Sequence, residues 1–193
     1  MNFDKLSQGY IVIAAEDRMM TMALRLQPDP TTHETPDRFI AAMAGAATQV
    51  SVVTTDGPSG RFGVTVSAFS SVSAEPPLVL VCINRRSPAI AAIEANNAFC
   101  VNLLRDDQSA IANCFAGRPG TIAPYDFTCA DWDAAATGAP VLRGATANFD
   151  CSVETTYDAG THRIFIGRVQ QAFSRDAAPL AFSQRAYQAL RPL

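Results

Sequence analysis

Thr35-Pro36 opens the first regular stretch of the chain: a capping hydroxyl, then a residue whose fixed φ suits the first helical position. Phe39, Ile40, Met43 and Ala47 follow at helical spacing, which predicts one short amphipathic helix. From Gln49 the period drops to two. Val50, Val52 and Thr54 alternate with Ser51 and Val53 as a strand, and Asp56-Gly57-Pro58-Ser59-Gly60 is dense turn chemistry that folds it back as a hairpin. Gly63 to Ser73 reads as a second strand-like stretch with small and hydroxyl side chains, stopped by Glu75-Pro76-Pro77. Leu78 to Ile83 is apolar at every position, which predicts a strand buried on both faces. Ser87-Pro88 starts a second short helix that Asn96-Asn97 ends. Phe99 to Leu104 predicts another strand, and Asp107 to Phe115 a third short helix. Residues 116–140 read as irregular, with Trp132 packing the loop. Ala145 to Val153 alternates, Asp158-Ala159-Gly160-Thr161 turns the chain, and Ile164 to Val169 alternates again, a two-stranded hairpin.

Many strands, few short helices and no strand–helix–strand rhythm predict a mainly β fold, a closed antiparallel barrel rather than a doubly wound sheet. The first 34 residues read differently. Tyr10 to Ala15 is apolar but too short and badly flanked for a secretory signal; Met19, Met20 and Met22 follow, any of which could be the true translation start; Pro28 and Pro30 punctuate a linker. The expectation is a leader over 1–34 and a single domain over 35–193.

At 193 residues, 48% hydrophobic and with a net charge of -3, the chain has too much apolar content and too little charge to be disordered. No apolar run approaches the ~18 residues of a membrane span. A pI near 5.3 offers no basic field for a phosphate backbone, so neither membrane nor nucleic acid is an expected partner. Five cysteines (Cys82, Cys100, Cys114, Cys129 and Cys151) spell no CxxC pair, which predicts reduced, buried thiols in a cytoplasmic protein. GxGxxG, GxSxG and the P-loop are absent, and the only lysine is Lys5. His33 and His162 lie far apart, so no metal site is expected. Asp106, Asp107 and the acids near Trp132 fit solvated loop and cap charges better than catalytic carboxylates. With these chemistries removed, the reaction is expected to belong to a bound cofactor.

Three segments could hold one. In Gly63 to Ser73, backbone groups and short hydroxyls could approach a flat heterocycle closely; the same composition also fits an edge strand. Asn84-Arg85-Arg86-Ser87-Pro88 combines a helix start, a capping hydroxyl and two guanidinium groups, a pattern suited to a phosphate and equally to an ordinary capped helix. Gly160-Thr161-His162 sets an imidazole at a hairpin turn, where it could donate one hydrogen bond to a carboxamide or serve the turn alone.

Taken together, these stretches resemble the flavin reductase-like family, the small NAD(P)H:flavin oxidoreductase components of two-component monooxygenases. The resemblance runs from Phe39 to about Pro192. It rests on Val50-Ser51-Val52-Val53-Thr54-Thr55, Gly63 through Ser73, Glu75 through Arg85, Phe99-Cys100-Val101-Asn102, Phe115-Ala116-Gly117, Gly138-Ala139-Pro140 and Gly160-Thr161-His162. Thr161 and the tail Tyr187 to Pro192 are similar to the branch serving pyrimidine-ring-opening oxygenases. The resemblance implies a split β-barrel homodimer with flavin near the subunit interface. Thr65, Val66, Ser67, Ala68 and Ser71 would line the ring and ribityl chain. Asn84, Arg85 and Ser87 would hold the phosphate, Phe115, Ala116 and Gly117 would lie near the ring or the dimer contact, and Gly160 and His162 would meet the nicotinamide. His162 is the one candidate catalytic residue. Many members carry Asp where this chain has Thr161, which bears on how the imidazole is oriented. The implied reaction is hydride transfer from NADH or NADPH to N5 of FMN or FAD, the reduced flavin then diffusing to a flavin-dependent monooxygenase. The alternatives are a flavoprotein that reduces a particular acceptor, a corrinoid or a quinone, and a flavin- or haem-binding protein without turnover.

Overall fold

The computed structural model describes residues 35–120 and 123–190. The candidate leader and the alternative starts lie outside them. By its internal contacts the chain divides into Met1–Ala41 and Ala42–Leu193. Helix α1 spans Pro36–Met43, starting where Thr35-Pro36 predicts but stopping short of Ala47, and none of its residues is buried.

Among the described residues, twelve short or medium strands and two more helices follow. They are β1 (Thr48–Gln49), β2 (Ser51–Thr55), β3 (Phe62–Val66), β4 (Phe69–Ala74), β5 (Pro77–Asn84), α2 (Ala89–Asn96), β6 (Ala98–Leu103) and α3 (Ser109–Phe115). Then come β7 (Trp132–Ala134), β8 (Pro140–Leu142), β9 (Ala147–Ala159), β10 (His162–Ser174), β11 (Leu180–Ser183) and β12 (Ala186–Ala189). The fold is mainly β with few short helices. Seven strands form one antiparallel sheet in the order β3-β2-β6-β9-β10-β5-β4. β1, β11 and β12 form a second sheet, and β7 and β8 a third.

The order of the large sheet contains a geometric constraint. Its two outermost strands, β3 and β4, are consecutive in the chain, separated by Ser67 and Ala68 alone. Laid flat, seven strands would put these edges six spacings, roughly 29 Å, apart. Three residue steps reach about 11 Å at most. The sheet therefore curls until its edges meet at that corner, where the Cys82 N–H donates to the Ala68 carbonyl (3.1 Å). Among the described residues β3 and β4 share no ladder, so the strands are not closed by hydrogen bonds into the barrel that the sequence predicts. The Gly63–Ser73 stretch is accordingly two strands on opposite edges of the sheet, not one; the corner at Ser67 and Ala68 ends the first.

The concave side is filled by Val53, Val79, Val81, Ile83, Phe99, Val101 and Phe165, with Ala89, Ile90 and Ile93 of α2 packed against them. On the far side of β2, Val50, Val52 and Leu104 meet α3 through Ile111, Ala112 and Phe115, and meet Leu180 of the small sheet. β2 and β6 are thus buried on both faces. β5 is not. Val79, Val81 and Ile83 are buried, while Leu78, Leu80 and Cys82 are only half-buried. The continuous apolar run misled the periodicity: beside edge strand β4, nothing among the described residues buries the second face of β5.

Three further corrections concern loops and thiols. Residues 116–140 hold a 3₁₀ turn (Phe127–Cys129) and β7, and β8 starts at Pro140. Trp132 does pack this segment, donating from Nε1 to the Phe127 carbonyl (2.9 Å) with its ring edge-on to Phe115 and Phe127. Of the five thiols, all free, Cys100, Cys114 and Cys151 are buried, whereas Cys82 and Cys129 are half-buried. β1, β11 and β12 were not foreseen, because they are two to four residues long and have no clean alternation.

A polar bolt crosses the buried face of β6. The Asn102 amide donates to the Val52 carbonyl and Thr54 Oγ1, each at 3.0 Å, and its oxygen accepts from the Leu142 N–H and from Asn148, each at 2.8 Å. This amide is completely buried and ties β2, β6, β8 and β9 together. Asn102→Ala should leave several of these groups unpaired and lower stability by about 2–4 kcal/mol. Urea denaturation followed by circular dichroism checks this; a loss under 0.5 kcal/mol would show that water replaces the amide.

Candidate functional site

The three sequence segments converge at one end of the large sheet. β5 ends at Asn84, which stands directly opposite His162, the first residue of β10. Just beyond, the Arg85 N–H donates to the Thr161 carbonyl (2.9 Å). The corner at Ala68 is fixed to Cys82, two residues before Asn84. The hydroxyl-rich segment, the arginine turn and the histidine turn are therefore neighbours, although they span about a hundred residues of chain.

Each is held by local hydrogen bonds. Asn84 closes the arginine turn: its Oδ1 accepts from the Arg86 N–H (3.0 Å) and its carbonyl from the Ser87 N–H (2.9 Å). Ser87 Oγ accepts from the Ala89 N–H (3.3 Å), so it caps the start of α2, as its position before Pro88 predicts. The hairpin between β9 and β10 is closed by the Ala159–His162 pair. Its two-residue loop starts with Gly160 at φ +57°, a geometry a glycine adopts without strain. Thr161 Oγ1 lies 2.9 Å from His162 Nδ1, so a hydroxyl rather than a carboxylate orients the exposed imidazole.

The remaining candidates are spread around this end. Thr65 donates from Oγ1 to the Ala112 carbonyl (2.8 Å), tying β3 to α3, and Val66 is buried in the core. Ser67, Ala68 and Ser71 are exposed. Phe115 is fully buried with its ring under Gly63: a Cβ at Gly63 would come within 2.5 Å of it, so only glycine lets β3 pass this close. Ala116 is exposed and Gly117 partly buried beneath the Tyr125 hydroxyl.

Charges at the rim form a chain. Arg85 Nη2 lies 3.8 Å from Asp158 Oδ2, while Arg163 grips the same carboxylate at 2.7 and 3.1 Å and also pairs with Glu94. The Arg163 hydrogen bonds, with the charges of Arg163 and Arg85 behind them, hold the Asp158 carboxyl below its usual range. Asp158 therefore stays ionised into mild acid, and Arg85 faces a carboxylate to which it is only loosely bound. Burial pushes the Cys129 and Cys151 thiols up to about 12 and raises Cys82, so none of these three is a thiolate at neutral pH.

A cavity of about 230 Å³ opens beside the arginine turn, lined by Arg61, Phe62, Gly63, Ser87, Pro88 and Tyr125. It joins the first segment, through Gly63, to the second, through Ser87. Its lining includes an arginine, a serine and a tyrosine and no carboxylate, a set that fits the phosphate end of a flavin nucleotide. Arg61 and Tyr125 were missed by the sequence reading. For Arg61 there was one signal, a cation between a glycine-rich turn and a strand of small residues. For Tyr125 there was none, since its place depends on the backbone contact of its N–H with the Cys114 carbonyl of α3.

Residues 43–191 match the flavin reductase like domain. The FMN reductase (NADH) RutF of Stutzerimonas stutzeri is 41% identical over 150 residues, which cover 77% of this chain and 85% of that one. Among solved structures, BorF, the flavin reductase component of a bacterial two-component tryptophan halogenase, is 33% identical with a TM-score of 0.73, over 81% of this chain and 99% of that one. The styrene monooxygenase flavin reductase of Pseudomonas putida S12 is 31% identical with a TM-score of 0.70, over 80% and 97%. With a match over most of its length and a site assembled from the segments that carry the resemblance, the chain belongs to the flavin reductase like domain family.

Proposed function

We propose that this chain is an NADH-dependent flavin reductase that supplies reduced flavin to a partner monooxygenase. The observation that carries this reading is the meeting of the arginine turn, the histidine turn and the small-residue corner at one end of the sheet, in a chain 41% identical to an FMN reductase (NADH). Flavin, when bound, supplies the ring that accepts electrons from NADH. The protein's tasks are to bind, align and exclude water. Asn84, Arg85 and Ser87 hold the phosphate with donors already fixed by the turn. The segment from Thr65 to Ser71 lines the ring and ribityl chain, and its small side chains let backbone groups approach the heterocycle. Phe115, Ala116 and Gly117 border the ring. Gly160 keeps the turn low, and His162, oriented by Thr161, holds the nicotinamide carboxamide. No acid–base pair is required, which agrees with thiols held neutral by burial.

The assembly belongs to the same proposal: a split β-barrel homodimer. Leu80 and Cys82 of β5, Ile164 and Ile166 of β10 and Tyr157 of β9 share the face of the sheet opposite the core. Tyr157 is 58% exposed. This apolar face continues into Asn84 and His162, so a second copy seated on it would border the flavin site. Among the described residues no helix is long and apolar enough to cross a membrane, and we place the protein in the cytoplasm, with residues 35–193 as its catalytic domain.

Anaerobic titration tests the activity. NADH should bleach added FMN or FAD in the presence of catalytic protein; flavin that stays oxidised would end this reading. His162→Ala should lower kcat/KM for NADH by about tenfold while the Kd for flavin changes little; equal losses in both would remove the nicotinamide role. Arg85→Ala should weaken FMN by about tenfold, read by fluorescence quenching, and unchanged affinity would take Arg85 out of the site. Sedimentation equilibrium at micromolar concentration should return twice 20.6 kDa, and a monomer would exclude the paired barrel.

A further inference from the structure

We propose that Arg61 is a phosphate-binding residue of this site and sets its preference for phosphorylated flavin over riboflavin. The inference rests on the flavin reductase reading and adds a residue that lies in none of the three segments first singled out.

Arg61 precedes β3 and lines the cavity that also contains Ser87. Its guanidinium is built into place from two sides. Nε donates to Asp56 Oδ2 (2.7 Å), and Asp56 is itself fixed by the Gly57 N–H (2.9 Å). The guanidinium lies over the Phe127 ring, 5.2 Å from its centroid, and Phe127 packs edge-on against the buried Phe115. Among the described residues, neither Nη group of Arg61 donates to a protein acceptor. Two parallel donors are therefore left in a fixed plane, the arrangement that takes two oxygens of one phosphate.

The other walls agree in sign. Ser87 Oγ uses a lone pair on the Ala89 N–H, which leaves its O–H to donate. Tyr125 also lines the cavity, and no carboxylate does. Asp56 stands on the Nε side of Arg61 and outside that lining, so it anchors the fork without filling the space a ligand would take. Arg85, exposed to a similar degree (53% against 48%), does not line the cavity and would meet the phosphate from its rim, its nearest carboxylate, Asp158, lying 3.8 Å from a terminal nitrogen. About 230 Å³ accommodates a phosphate and the end of its carbon chain, with the flavin ring reaching outward to the small-residue corner.

The test compares FMN with riboflavin, which carries the same ring and no phosphate. Kd values for both are measured by fluorescence quenching on the wild-type chain, Arg61→Gln and Arg61→Lys. The wild type should prefer FMN. Arg61→Gln should weaken FMN by roughly 10- to 30-fold with less than a twofold change for riboflavin, so the preference collapses. A preference equal to that of the wild type, whether both affinities are unchanged or both fall together, would overturn the assignment. Should the glutamine variant not fold, Arg61→Lys carries the test: a preference lowered threefold or more supports the fork, and an unchanged one overturns it. Failure of the flavin reading is visible separately, since the wild type would then bind neither compound and both proposals would fall.

Discussion

The two residues that join the outer strands of the large sheet govern the molecule. Ser67 and Ala68 must connect edges that a flat sheet would hold far apart, so the sheet curls, and its curl fixes what lies near what. The corner brings the start of β4 against the end of β5 through the Ala68–Cys82 hydrogen bond. The end of β5 is tied in turn to the β9–β10 hairpin through Arg85 and Thr161. A site made of three short segments is thus assembled by backbone hydrogen bonds before any side chain takes part.

Curling also demands a wall that does not shear. β2 and β6 lie between two apolar clusters and carry the buried Thr54–Asn102–Asn148 hydrogen bonds across the strand direction. Hydrophobic burial is non-directional and would tolerate slippage, whereas a satisfied buried amide specifies register. The rim can then consist of turns that each satisfy their own backbone and still leave donors pointing outward. Preorganised donors of this kind serve a reaction whose bond changes occur within two bound nucleotides.

What was legible in the sequence is what depends on local backbone chemistry. The Thr35-Pro36 helix start, the Ser87 cap, the Gly160 turn and the α2 stop at Asn97, which takes a left-handed conformation, are all set by one to four adjacent residues. Motif order added the family. What was not legible depends on distant layers. Leu78 to Ile83 reads as a doubly buried strand because apolar residues carry no label for which layer will cover them, and among the described residues Leu80 is left only half-buried. The break at Ser67 was hidden because small residues serve a strand and a corner equally well. Arg61 and Tyr125 meet at one cavity only because the β2–β3 hairpin and the loop after α3 approach from far apart in sequence.

The distribution of charge at this end agrees with the proposed binding of anionic ligands there. Flavin mononucleotide and NADH are both anions, and the chain as a whole carries -3, so long-range attraction cannot bring them in. Attraction has to be local and short-ranged. Two rim cations each have a carboxylate placed to their side: Arg61 with Asp56 through Nε, and Arg85 with Asp158 at a distance too long for a hydrogen bond. Such pairing keeps the guanidinium groups oriented while little has to be broken when a phosphate arrives. Arg163, by contrast, is held by two carboxylates and belongs to the scaffold. The difference between the arginines proposed to bind and the structural one is a matter of how many donors the protein has already satisfied.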